Sequence, residues 1–167
     1  MKVAALQYLG QFIASLERPD CVSPVLVDHY LSMGSYSSKS ASKNDVIYFC
    51  AFNFPAVLIT LGPDGWTHLR KLYFQLVKST QWKVRRTIAY SLHEVAAILG
   101  SSLAESELIP VLNSLLKDLT DVRIGALTHL PKFLGAMSAE KRNMFLDMIQ
   151  DLQVSSPLYR MNHKIGG

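Results

Sequence analysis

The chain has 167 residues, of which 49% are hydrophobic and 18% charged, with a formal net charge of +4. That balance excludes a disordered chain, which would be poorer in apolar residues. The charge excess is too thin and scattered to point to nucleic acid, and no window approaches the ~18 uninterrupted apolar residues of a membrane span.

The length is that of one domain. The N-terminus lacks the small-residue cleavage site of a signal peptide. Cys21 and Cys50 form no CxxC pair, so they read as buried free thiols in a reducing compartment. The expected location is the cytoplasm or the nucleus.

In chain order, residues 1–16 carry apolar side chains on one helical face. Residues 17–43 read as a partly disordered linker, because Ser32 to Ser42 is rich in serine and poor in large apolar residues. Ser23-Pro24 ahead of Val25-Leu26-Val27 can nonetheless cap a short helix there. Asn44 or Asp45 is then expected to cap a helix over Val46–Leu61, kinked at Pro55. Gly62-Pro63-Asp64-Gly65 is a turn.

Two helical hairpins follow. In the first, Trp66, Leu69, Leu72, Tyr73, Leu76 and Val77 form one stripe, and Val84, Ile88, Leu92, Val95, Ile98 and Leu99 the other. Gly100 stands where a helix C-terminus favours positive φ. In the second, Leu108, Ile109, Leu112, Leu115, Leu116 and Leu119 face Val122, Ala126, Leu127, Leu130, Phe133 and Leu134. Glu105 and Glu107 place acid in the first turn of the earlier helix, where its dipole favours it. A further helix is expected from Ser138-Ala139 to about Leu152, and residues 154–167 read as a tail outside the pattern.

The two hairpins repeat. Val84-Arg85 and Val122-Arg123 each open a second helix, and the arginines are 38 residues apart. Val3 to Ile13 aligns with Ile124 to Leu134, apolar position on apolar position. The chain is therefore expected to open within a second helix and to stop after a first helix. Helices with one apolar face cannot stand alone, and stacked hairpins bury those faces. The fold class is all-α, a helical solenoid incomplete at both ends, with its hairpins over 44–153.

No catalytic constellation is apparent. His93-Glu94-Val95-Ala96-Ala97 begins like a zinc-protease motif, but Ala97 stands where the second histidine must be. There is no Gly-rich phosphate loop and no G-x-S-x-G. Neither metal nor cofactor is expected. Arg85 and Arg123 are the residues to single out, since the planar guanidinium can bridge to a carboxylate of a neighbouring hairpin. Asp118 and Asp121 are the nearest acids, and together the four residues form a candidate inter-repeat ladder. Trp82, Lys83, Arg86 and Thr120 lie in the adjoining loops and form a candidate partner surface. Trp66 is expected to be buried, while the place of Trp82 is left open.

The stretches Trp82-Lys83-Val84-Arg85-Arg86 and Leu116-Lys117-Asp118-Leu119-Thr120-Asp121-Val122-Arg123, with Pro110, resemble HEAT repeats of the phosphatase scaffold class. Cys50-Ala51-Phe52-Asn53-Phe54-Pro55, Gln81 to Arg86, His93-Glu94 with Ile98-Leu99-Gly100, and Lys117 to Gly125 are similar to the regulatory-subunit family of protein phosphatase 4. Ser79 stands where that pattern has aspartate. The resemblance implies a non-catalytic regulatory scaffold that binds a serine/threonine phosphatase catalytic subunit of the phosphatase 4 type and phosphoprotein substrates. Nucleic acid and membrane are not expected partners. The competing readings are a degenerate fragment with little binding, since about three repeats are needed for a stable stack, and a helical adaptor for another partner.

Overall fold

The computed structural model describes residues 2–16, 18–35 and 41–145. The expected helix beyond residue 145, the tail over 154–167 and the middle of the serine-rich stretch, 36–40, lie outside the described residues. Eight α-helices follow in order: α1 Lys2–Ser15, α2 Pro24–Ser32, α3 Ala41–Leu61, α4 Trp66–Val77, α5 Trp82–Leu103, α6 Ile109–Leu115, α7 Thr120–Thr128 and α8 Leu130–Gly135. Another begins over 139–145. The regular elements of the described residues are all helical, so the chain is all-α.

The helices form two layers. α1, α3, α5 and α7 lie side by side as one layer. In the other, α2 rests on α1, α4 lies between α3 and α5, and α6 lies between α5 and α7. α1 packs on α3 as α5 packs on α7, but the aligned residues of Val3–Ile13 and Ile124–Leu134 are not all placed alike, since Phe12 is 53% exposed and Phe133 only 2%. Three successive hairpins result, α2 with α3, α4 with α5, and α6 with α7–α8, with α1 packed ahead of them on α3.

Between the layers runs one continuous apolar core. All six residues expected on the α4 stripe are buried, as are Val84, Ile88, Leu92, Val95 and Leu99 of α5. Each fully buried Leu, Ile or Phe contributes about 1.5–3 kcal/mol relative to exposure. Phe54, Trp66 and Tyr73 form an aromatic cluster where α3 meets α4, with ring centroids 4.9 Å apart for Phe54–Tyr73 and 5.3 Å for Trp66–Tyr73.

Several expectations need correction. The short helix expected after Ser23-Pro24 is there as α2, with Ser23 as its N-cap accepting from the Val25 amide and Pro24 in the first turn, but the segment is not merely a linker. Tyr30 and Met33 from this segment are fully buried, and the Tyr30 hydroxyl donates to the Cys50 carbonyl at 2.6 Å. Helix α3 begins at Ala41, so Asn44 and Asp45 lie inside it and do not cap it, and it runs through Pro55 to Leu61. Cys50 is buried as expected, but Cys21 is exposed. Leu119 and Leu127 of the last stripe are 56% and 47% exposed. Leu119 has extended backbone ahead of α7 (φ −54°, ψ 153°), so its side chain is not in register with the α6 stripe. Leu127, one residue past Ala126 along α7, is turned off the core face that Val122 and Ala126 occupy, and the chain breaks at His129 and restarts as α8.

Gly100 has φ 77° and ψ 170°, a conformation essentially reserved for glycine. It ends the helical run that began at Trp82, and the chain re-enters helix at Ser101 without a loop. A π-helical stretch over Ala104–Leu108 leads into α6. By length and composition the run Trp82–Leu115 could cross a membrane, with a mean hydropathy of 1.5. Here Gly100 divides it, and its apolar face supplies the core between α4, α6 and α7.

Candidate functional site

The Val-Arg pair that opens α5 splits its two side chains between core and edge. Val84 is fully buried. Arg85, next along the helix, emerges beside the turn that precedes α7. There its Nε donates to Asp118 Oδ2 at 2.6 Å and its Nη2 to Asp118 Oδ1 at 2.8 Å, a two-pronged grip on one carboxylate. Its Nη1 donates to the Ser79 carbonyl at 2.7 Å. The Leu119 amide donates to Asp118 Oδ1 at 2.7 Å. Both side chains are largely covered, at 17% and 16% exposure. The hydrogen bonds from Arg85 hold the Asp118 carboxyl below its ordinary value, and the Leu119 amide adds to this. Reciprocally, Asp118 raises the Arg85 guanidinium above its ordinary value.

This contact locks the turn before α5 to the turn before α7, and so fixes the offset between successive hairpins. Ser79, in the position where the repeat pattern has aspartate, contributes its backbone carbonyl in place of a carboxylate. Of the four ladder residues expected from sequence, the structure therefore brings together Arg85 and Asp118. Arg123 and Asp121 are exposed and form no ion pair among the described residues. Asp121 sits in the first turn of α7, past the point that Arg85 reaches.

Two other inter-hairpin contacts had no signal in the repeat motif. Arg70 of α4 donates through Nε to both Glu107 oxygens, at 2.9 and 3.0 Å, while its guanidinium lies 5.1 Å from the Phe74 ring centre. Glu105 accepts from the Ser138 amide at 2.7 Å, ahead of the helix that starts at 139. That hydrogen bond holds the Glu105 carboxyl below its ordinary value. The two acids were expected to serve only the dipole of their own helix. Their side chains reach across to the hairpin on either side, and only the three-dimensional offset of the stack reveals it.

The expected partner surface lies along the edge that the Arg85–Asp118 contact creates. Lys83, Arg86 and Thr120 are exposed, and Trp82 is partly covered. The Arg86 guanidinium lies 5.5 Å from the Tyr90 ring centre, which holds it above the α5 surface. Lys117 is exposed on the neighbouring turn. Trp66 is buried, as expected.

His93 of the zinc-protease-like stretch sits against His129, not against a second ligand on its own helix, with ring centroids 4.3 Å apart. Among the described residues no group of three or more His, Cys, Asp or Glu could hold a metal ion. A shallow open groove of about 810 Å³ on α4 is lined by Arg70, Lys71, Phe74, Gln75 and Lys78.

Residues 50–152 match the family described as the protein phosphatase 4 regulatory subunit 1 middle domain. The chain is similar to human serine/threonine-protein phosphatase 4 regulatory subunit 1, with 43% identity over 136 residues, covering 81% of this chain and 14% of that protein. The mouse protein of the same name gives the same figures. Mouse serine/threonine-protein phosphatase 4 regulatory subunit 4 is 34% identical over 97 residues, 56% of this chain and 11% of that one. The chain thus spans about one seventh of the regulatory subunit 1 proteins it matches. With both inter-hairpin turns inside the matched region, the chain belongs to the family of the protein phosphatase 4 regulatory subunit 1 middle domain.

Proposed function

We propose that this chain is a non-catalytic scaffold segment that binds a serine/threonine phosphatase catalytic subunit of the phosphatase 4 type and modulates its activity or substrate choice. The observation that carries this reading is the family match over residues 50–152, which takes in both turns of the ladder. The similar proteins are named as regulatory subunits, which favours a binding role over catalysis.

The contact surface in this reading is the edge formed by Trp82, Lys83, Arg86 and Thr120. It carries cations without carboxylate partners among the described residues, on a backbone held in register by Arg85 and Asp118. Such an edge complements an acidic surface, and charges at an interface rim act mainly on association rate and specificity. Phosphoprotein substrates are the second class of partner, and the cytoplasm or nucleus is the place of action.

The test is retention of purified phosphatase 4 catalytic subunit by the immobilised 167-residue chain. The expected result is retention that falls severalfold for Lys83→Glu combined with Arg86→Glu, with helical content unchanged. A chain shown to be folded by circular dichroism that retains no catalytic subunit would contradict the proposal.

A further inference from the structure

We propose that His93 and His129 form a pH-sensitive joint between the second and third hairpins. The placement follows from the backbone. His129 occupies the break between α7 and α8, with φ −115° and ψ 17°. One turn earlier, Gly125 allows α7 to close on α5, since a Cβ there would meet Tyr90 Cδ2 at 2.8 Å and Ala89 Cβ at 3.2 Å. The result is an imidazole from each hairpin stacked on the other, with centroids 4.3 Å apart and planes inclined by 36°. The His93 side chain is only 14% exposed.

Burial and the neighbouring His129 ring oppose protonation of His93, with charged groups of both signs nearby. From α5, Arg86 lies over the Tyr90 ring, whose edge meets His129 at 6.3 Å between centroids. From α8, Lys132 adds a second permanent cation. The acid facing the pair is Glu94, whose Oε1 is 4.0 Å from His93 Nε2 and which is 53% exposed. The Tyr90 carbonyl lies 3.1 Å from His93 Nδ1 and is the other group that favours the proton. Burial, followed by the neighbouring His129, lowers the proton affinity of His93 despite Glu94 and that carbonyl.

The direction of the effect follows. For His93, a folded-state value below that of the unfolded chain means its contribution to stability is full above about pH 6.5 and is lost as pH falls through the lower folded value. Two protonated rings at stacking distance repel, and the repulsion acts on the α5–α7 contact. Acidification therefore loosens the third hairpin against the second and disturbs the alignment of the turns before α5 and α7.

The experiment is an NMR titration of the full chain from about pH 8 to pH 5, following the imidazole C–H signals. His93 is assigned with His93→Gln. The wild-type His93 midpoint should fall below that of a histidine in an unstructured peptide, and His129→Asn should move it upward. Between about pH 7.5 and pH 5.5, the fall in melting temperature should be at least halved in His93→Gln. A His93 midpoint at or above the peptide value, a midpoint unmoved by His129→Asn, or an unchanged melting response in His93→Gln would each overturn the proposal. If His93→Gln fails to fold, the His93 signal is assigned by through-bond correlation in the wild type, and its midpoint still decides the matter.

Discussion

The two halves of the stack are joined by different means. From α1 to α4 the contacts are close and largely apolar: Gly34 lies against Leu72, and Phe54 against Tyr73. Among the described residues, the polar link to α3 from a neighbouring element is one buried hydrogen bond, from the Tyr30 hydroxyl to the Cys50 carbonyl. From α4 onward, charged contacts cross between hairpins, Arg70 to Glu107, Arg85 to Asp118, and Glu105 to the Ser138 amide. Apolar packing is non-directional and sums with area, whereas a two-pronged arginine–carboxylate contact fixes position and orientation. The first half gains cohesion from its core, and the second is also set in register at its edge. In a stack whose stability is a sum of hairpin and interface terms, the two halves should respond differently to the same perturbation.

The largest effect should come from Phe54→Ala in the first half. Phe54 is fully buried and packed on Tyr73, and removing such a ring costs about 3–5 kcal/mol. Denaturant melts should show this loss with little dependence on salt. Next, Arg85→Ala should cost about 2–3 kcal/mol, since it leaves the Asp118 carboxylate partly buried and without its main partner. Lysine at position 85 should recover only part of this, because a point charge cannot grip both oxygens.

Acid sharpens the contrast. Because the Asp118 carboxyl is held below its ordinary value of 3.8, its contribution is present above that value and is lost as pH falls through the lower folded one. In melts below about pH 4, wild type should therefore converge toward Arg85→Ala. Tyr30→Phe, which removes one buried hydrogen bond, should cost about 1 kcal/mol. Arg70→Ala is the smallest, under about 1 kcal/mol, because the Arg70 side chain is 53% exposed and solvent screens the pair.

What the sequence revealed follows the same divide. The stripes of α4 and α5 were legible because 3.6-residue periodicity directly reports which face is apolar. Arg85 and Asp118 were legible because the Val-Arg repeat marks the start of each second helix. The role of residues 17–43 was hidden, since a few large side chains, Tyr30 and Met33, fill core positions in a segment otherwise rich in serine. The breadth of the α6 and α7 stripes was overstated because apolar residues were counted across a turn and off the buried face: Leu119 lies in the extended turn ahead of α7, and Leu127 sits one residue past the buried Ala126. Between Asp118 and Asp121 the sequence offered no choice. The turn decides it, since Asp118 lies in the loop facing Arg85 while Asp121 is already within α7. Arg70–Glu107 and Glu105–Ser138 depend on the offset between hairpins and leave no local motif.

The central claim is that the Arg85–Asp118 contact sets the register of the second and third hairpins. A double-mutant cycle on chemical denaturation, with Arg85→Ala, Asp118→Ala and the pair, tests it most directly. The coupling energy between the two sites should be about 1–3 kcal/mol, in the range found for residues in direct contact. Additive losses, with coupling indistinguishable from zero, would contradict it.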